Sequence, residues 1–300
     1  MTTRRHFNLA VACGLATGLP LAGCSTARPP QRITGIDSHA HVFTRDLPMP
    51  DRRRAPAGYD ATPADYLRML DVNGLSHGVL VQPSFLGTDN SYLVTALLEH
   101  PQRLRGIAVV DPTVSTEQLD SLQAAGVVGI RLNLIGLRAP DFSSSAWRAL
   151  LWQIKQRDWQ VEVHRSAGEL RSVLDPLLGA GVNIVVDHFG RPSDKLGVDE
   201  PGFRYLLTLG ATRRVWVKIS AAYRNGPDGK GEATATAAMP MLHSAFGTSR
   251  LVWGSDWPHT LFEATADYAT QRRLIDQWLP DAAERQAVLV DTPARLFRFA

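Results

Sequence analysis

Between residues 33 and 279 the chain alternates, eight times over, a short β-branched run with a longer helical pattern. The runs that predict strands are ITGIDSH (33 to 39), GVLVQP (78 to 83), LRGIAVVD (104 to 111), VVGIRLN (127 to 133), WQVEVHR (159 to 165), NIVVDHF (183 to 189), RVWVKIS (214 to 220) and RLVWGSD (250 to 256). Helical patterns fall near 62 to 73, 89 to 100, 115 to 125, 143 to 157, 168 to 180, 199 to 210, 232 to 246 and 264 to 279. Strands this continuously apolar suit a parallel sheet covered on both faces, and eight β/α units are what a (β/α)8 TIM barrel requires. A doubly wound open sheet is the alternative. Its nucleotide-binding versions lose support because the first β/α turn carries no GxGxxG and the chain contains no GxxxxGK[ST]. A last segment, Ala282 to Phe299, predicts an extra C-terminal helix or two short ones, interrupted at Pro293.

Polar residues gather where these strands end. His39 and His41 close the first, Arg131 and Asn133 the fourth, and His164 and Arg165 the fifth. Asp187 and His188 follow the sixth, Lys218 and Ser220 the seventh, and Asp256 the eighth. Residues i and i+2 of a strand share a face, so both imidazoles of IDSHAHVF project into the same space. Barrel enzymes place their chemistry at the carboxyl ends of the strands. Burying four histidines and an aspartate there without mutual pairing, metal or substrate is costly, which favours function over packing. His77, His100 and His243 lie outside this pattern and read as surface or structural. The stretch TRDLPMPDRRRAPAGYDATP, residues 44 to 63, is long for a β/α loop and carries Arg52, Arg53, Arg54 and Tyr59. It reads either as a binding loop over the mouth or as a solvated insertion.

IDSHAHVF, GIRLN, VEVH, VDHFGRP, VWVKIS and LVWGSDWPH, in that order from residue 36 to 259, resemble the amidohydrolase-related family of the amidohydrolase superfamily. Within it they are similar to the branch that contains 2-pyrone-4,6-dicarboxylate lactonase, 4-sulfomuconolactone hydrolase and sugar-lactone hydrolases. The resemblance implies a TIM barrel whose reaction centre is His39, His41, His188 and Asp256. Asp256 is then the general base that takes a proton from water as it attacks a lactone carbonyl. His188 and the HxH pair polarise the carbonyl oxygen. Arg131, Arg138 and Arg224, with Tyr59 from the long loop, are the expected contacts to substrate, each arginine able to grip a carboxylate bidentately. Arg165 and Arg191 are expected to pair with Glu162 or Asp187, and Lys218 to orient Asp256. His39, His41, His164 and Asp256 also form a plausible ligand set for one divalent ion, zinc or manganese. The lactonase branch implies no obligatory metal, and that is the reading preferred here.

The expected substrate is a small anionic lactone. A metal-dependent nonoxidative decarboxylase is the enzymatic rival, since the same family contains such enzymes, and a noncatalytic lipoprotein that captures organic acids is the rival of another class. The first residues bear on where the chain acts. Arg4 and Arg5 precede an apolar, small-residue stretch from Leu9 to Ala22, and no acid occurs before Asp37. This pattern resembles a twin-arginine export signal spanning 1–23. Leu21-Ala22-Gly23-Cys24 resembles a lipobox, with Cys24 lipidated and 24–32 a polar tether to a barrel domain at 33–300; ordinary cleavage nearby is the alternative. The expectation is a membrane-anchored lipoprotein facing the periplasm. Without residues 1–23 the 32 basic and 29 acidic side chains become 30 and 29, so the overall charge gives no reason to expect nucleic acid. Cys13 and Cys24 are the two cysteines, which leaves the barrel none for a disulfide or a thiolate metal site.

Overall fold

The computed structural model describes residues 32–51, 54–56 and 58–299. The expected export signal, Cys24 and the expected tether up to Gln31 lie outside the described residues. Eight strands form one parallel sheet in sequential order. They are β1 (Ile36–Ala40), β2 (His77–Val81), β3 (Leu104–Ala108), β4 (Val127–Asn133), β5 (Gln160–His164), β6 (Asn183–Val186), β7 (Val215–Ser220) and β8 (Leu251–Gly254). Each is followed by a helix: α1 (Pro63–Val72), α2 (Ser91–Glu99), α3 (Thr116–Ala124), α4 (Ser145–Gln156), α5 (Arg171–Ala180), α6 (Pro201–Thr208), α7 (Lys230–Phe246) and α8 (Tyr268–Trp278). The architecture is the (β/α)8 barrel. Local chemistry starts the helices where the pattern predicts: Thr62 and Asp65 form a reciprocal capping box on α1, and Ser115 and Gln118 another on α3. None of the described helices is long and apolar enough to cross a membrane.

The sheet closes between β8 and β1. Asp256 N donates to His39 O at 2.8 Å and His41 N to Trp257 O at 2.8 Å. Buried Asp37 clamps the same seam, accepting from Ser255 N, Ser255 Oγ and Tyr268 OH at 2.9, 2.6 and 3.0 Å. Gly254 is required at this join, because a Cβ there would lie 2.6 Å from His39 Cβ and 2.8 Å from His39 N. Beyond α8 the chain continues through α9 (Ala282–Gln286), a π-helical turn (Ala287–Asp291) and α10 (Thr292–Phe297). Phe297 and Phe299 pack with Ile36, Val79, Ile107 and Val252, and this apolar cluster includes residues at the start of several strands.

Period-2 alternation builds the barrel interior in two layers. The pairs His39/His41, Arg131/Asn133, Glu162/His164 and Lys218/Ser220 each occupy i and i+2 of a strand or its end, so both members share a face. The lower layer is ionic: Lys218 Nζ lies 2.6 Å from Glu162 Oε2 and 3.4 Å from Asp187 Oδ1, and Arg131 donates to Asp187 Oδ2 from Nε and Nη2 at 3.2 and 3.1 Å. Buried charges persist when paired in this way. The upper layer is the mouth.

Candidate active site

Asp256 stands just past β8, buried, with a left-handed backbone (φ 61°). Its two oxygens have different partners. Oδ2 accepts from Arg224 Nε at 2.5 Å and from Tyr223 OH at 2.6 Å. Oδ1 faces three imidazoles: His39 Nε2 and His41 Nε2 at 3.5 Å each, and His188 Nε2 at 4.0 Å. Burial would raise the carboxyl pKa, but Arg224 and the surrounding histidines hold it well below the usual carboxylate range. Asp256 is therefore ionised, with Oδ1 turned to the cavity. Burial, reinforced by neighbouring positive charge, holds His39 down to about 3 and His164 well below the ordinary histidine range. His188 is likewise held well below it by burial, against the pull of Asp256. These rings are neutral at pH 7.

His188 does not extend β6, which ends at Val186. It sits in a turn with φ 54°, and its Nδ1 meets Ser220 Oγ at 2.8 Å. A positive φ at a histidine is uncommon and cannot be read from an apolar strand pattern. His41 donates from Nδ1 to Val81 O at 2.7 Å, which leaves its Nε2 lone pair toward Asp256. The four residues expected at the reaction centre are thus brought together. His164 joins the same wall, its ring edge-on to His188 with centroids 4.8 Å apart.

The cationic wall differs from expectation. Arg131 and Arg224 line a small cavity with His41, His188 and Asp256. Both are partly committed within the protein: Arg131 gives Nε and Nη2 to Asp187, and Arg224 gives Nε to Asp256 and one Nη2 hydrogen to Thr260 O. Nη1 of Arg224 is buried without a partner among the described residues, and that arm is left for a ligand. Arg138 is exposed and is not among the cavity-lining residues. Arg165 donates to the carbonyls of Leu134 and Leu137 and pairs with Glu169, fixing the loop that carries Arg138 outward. Lys218 pairs with Glu162 and Asp187 rather than Asp256. Tyr59 OH donates to Glu263 Oε1 at 2.8 Å and its ring packs against Phe43, so it ties the long loop down instead of lining the cavity.

That loop supplies a different residue. Arg54 lines the cavity, and its pKa is lowered to about 10 by burial and by Arg224 and Arg131. Two other residues escaped the sequence reading: Tyr223, on Asp256 Oδ2, and His259, whose Nδ1 lies 3.1 Å from Tyr223 OH. His259 ends the LVWGSDWPH stretch and Tyr223 adjoins Arg224, which is the signal the sequence carries; the left-handed backbone at Ala221 (φ 48°) and Asp256 (φ 61°) is not legible in it.

A divalent ion can be tested against the donor chemistry. His39, His41 and Asp256 each place a ligand atom within 4.8 Å of the others, as do His39, Asp187 and His188; His164 belongs to neither group. A ligating nitrogen must be bare. His41 offers a bare Nε2. His39 Nδ1 and His164 Nδ1 face cations instead, Lys218 Nζ at 2.8 Å and Arg131 Nη2 at 3.3 Å. Cations only donate, so each of these neutral rings keeps its proton on Nε2. The expected set of three histidines does not fit an ion in this protonation state.

Residues 36–299 match the amidohydrolase family model. This chain belongs to the amidohydrolase family. Among its curated relatives, a 4-sulfomuconolactone hydrolase of Rhizobium radiobacter and a 2-pyrone-4,6-dicarboxylate hydrolase of Comamonas testosteroni are each 31% identical, over 87% of this chain and 89% of theirs. A crystal structure from Acinetobacter baumannii, provisionally designated a 2-pyrone-4,6-dicarboxylic acid hydrolase and holding citric acid, superposes with a TM-score of 0.86 at 36% identity. The alignment covers 89% of this chain and 100% of that one. Decarboxylase structures resemble the chain in fold alone. This amidohydrolase is a hydrolase by family, and the curated relatives act on lactones.

Proposed function

We propose that this amidohydrolase opens the ring of a small lactone bearing carboxylates, using water activated by Asp256. The observation that carries the reading is the division of labour on that carboxylate. Arg224 and Tyr223 hold Oδ2, which leaves Oδ1 as the oxygen available to a water among the imidazoles. In the forward step Oδ1 takes a proton from water while the water oxygen bonds to the lactone carbonyl carbon. The carbonyl electron pair moves to oxygen, where imidazole N–H groups receive the charge. Collapse breaks the ring C–O bond, and Asp256 returns the proton to the leaving oxygen. One ester bond and one water are consumed, and one carboxylate, one hydroxyl or enol and one proton, lost from the new carboxylic acid to solvent, appear.

The anionic substrate class rests on an excess of positive charge: Asp187 pairs with Arg131 and Asp256 with Arg224, which leaves Arg54 as the surplus cation. Arg54, Arg131 and Arg224 line one small cavity in which the acidic lining residue is Asp256. Citrate in the Acinetobacter relative, a tricarboxylate, agrees with such a site. The twin arginines and the lipobox-like Leu21–Cys24 support action at the periplasmic face of a membrane, through a lipid on Cys24.

The test is hydrolysis of 2-pyrone-4,6-dicarboxylate and 4-sulfomuconolactone, followed by ring absorbance, with parent and Asp256→Asn proteins side by side. Turnover that falls at least ~10³-fold in Asp256→Asn supports the reading, since the amide cannot accept the proton. Equal rates in the two proteins, or no hydrolysis of either lactone by the parent, would sink it.

A further inference from the structure

Lys218 is buried completely, yet it touches neither the cavity nor Asp256. Its ammonium lies 2.8 Å from His39 Nδ1, 2.6 Å from Glu162 Oε2 and 3.4 Å from Asp187 Oδ1. We propose that Lys218 is a positioning residue that locks His39 with its proton on Nε2, making it a hydrogen-bond donor at the reaction centre and disqualifying it as a metal ligand.

An ammonium has protons to give and no lone pair, so the nitrogen it faces must accept. The surrounding charge supports that assignment. Lys218 and Arg131 face Asp187 and Glu162; burial raises the Glu162 carboxyl to about 7 against the pull of Lys218, so the two cations match or exceed the carboxylate charge and the cluster needs no additional proton on His39. The competing arrangement would point Nδ1–H at Asp187 Oδ1. That oxygen is 3.4 Å away and makes no hydrogen bond among the described residues, whereas the Lys218 contact is a good one. The proton on Nε2 then aims at the gap before Asp256 Oδ1, 3.5 Å off, too long for a strong bond and open to a reacting oxygen. His39 Nε2 is buried there without a partner, as a donor awaiting a ligand would be.

Without Lys218 the group nearest to His39 Nδ1 becomes the Asp187 carboxylate. A carboxylate on Nδ1 draws the proton to that side and bares Nε2, the arrangement that supports metal-bound histidines. Bare Nε2 atoms of His39 and His41 and the Asp256 oxygen would then converge within ligand range. On this account a lysine beneath the mouth chooses between donor chemistry and metal binding. The inference rests on the hydrolytic reading only for its catalytic consequence, and its test does not use turnover.

Two measurements on the full-length protein decide it. In the parent, 15N spectra of labelled histidines should show His39 protonated on Nε2 and bare on Nδ1; the opposite pattern overturns the proposal. Lys218→Met leaves Arg131 as the one cation facing the Glu162 and Asp187 carboxyl groups, so Lys218→Met/Glu162→Gln, which also removes the partner acid, is the second variant. Zinc titration by calorimetry should show a gain in affinity of roughly 10–100-fold in whichever variant folds, the range in which a histidine's supporting partner acts on a metal site. Adding His39→Gln should cancel the gain. Zinc affinity equal to the parent's in a folded variant, or a gain that survives His39→Gln, overturns the proposal, and neither result bears on which lactone is the substrate.

Discussion

Replacing Gly254 by alanine should damage the site while leaving every reacting side chain chemically unchanged. The added Cβ would sit 2.6 Å from His39 Cβ, 2.8 Å from His39 N and 3.2 Å from His39 Cα. The closest of these falls about 0.8 Å short of ordinary contact, and close-packed interiors cannot absorb such a clash locally. No flexible side chain can swing away, since the atoms belong to the β1 backbone and the root of His39. Strands β1 and β8 must therefore separate at the join where Asp256 N bonds to His39 O. Overpacking of this kind costs about 1–3 kcal/mol, which lowers the melting temperature by roughly 2–6 °C for a domain of this size. Displacing His39 from Asp256 by close to 1 Å should reduce kcat/KM by about 10²-fold. Gly179→Ala is the control, because nothing lies within 4 Å of its Cβ position on α5. That change should leave kcat/KM unaltered and raise stability by about 0.5–1 kcal/mol. Thermal melts and lactone hydrolysis on both variants make the assay. A folded Gly254→Ala protein with parental kcat/KM would refute the claim that this contact sets the catalytic geometry.

Arg54→Ala should raise KM for a dicarboxylated lactone by about tenfold with a smaller effect on kcat, as loss of one charge-assisted contact predicts, while Arg138→Ala should behave as the parent. Equal losses in the two would contradict the placement of Arg54 over the cavity. Stability should fall in acid: His39 and His259 have folded pKa values lowered to about 3 and about 4 by burial, below the unfolded value near 6.5. Each therefore contributes stability that is intact above pH 6.5 and declines by up to about 1.4 kcal/mol per pH unit toward the folded pKa. Urea midpoints measured from pH 7.5 to 4.5 should drop accordingly, less steeply in His259→Gln, and a flat profile would contradict the neutral buried rings. For the proposed anchor, metabolic labelling with a radioactive fatty acid should mark the parent and not Cys24→Ala; label retained in the variant would exclude Cys24 as the lipid site.

The sequence alone was enough to expect the barrel and, through its family resemblance, to name the four residues that the structure brings together at the mouth. Hydrophobic runs of strand length, spaced by helical patterns, report burial on both faces, and burial is a local property of each run. HxH on β1 could be placed because the strand period is two, so the spacing itself puts both rings on one face. The tertiary structure alone decided what each polar group does there. Arg131 and Arg224 are spent largely on Asp187 and Asp256, Arg138 is carried outward, and Arg54 arrives from a loop that is also consistent with a surface insertion. Lys218 meets a histidine 179 residues away, and that meeting sets which nitrogen of His39 holds a proton. Such facts depend on distances of a few tenths of an ångström between strands far apart in the chain, and on left-handed turns at His188, Ala221 and Asp256 that aim the side chains. No periodicity in the sequence records them, because hydrogen bonding and charge pairing act through space after the sheet has closed.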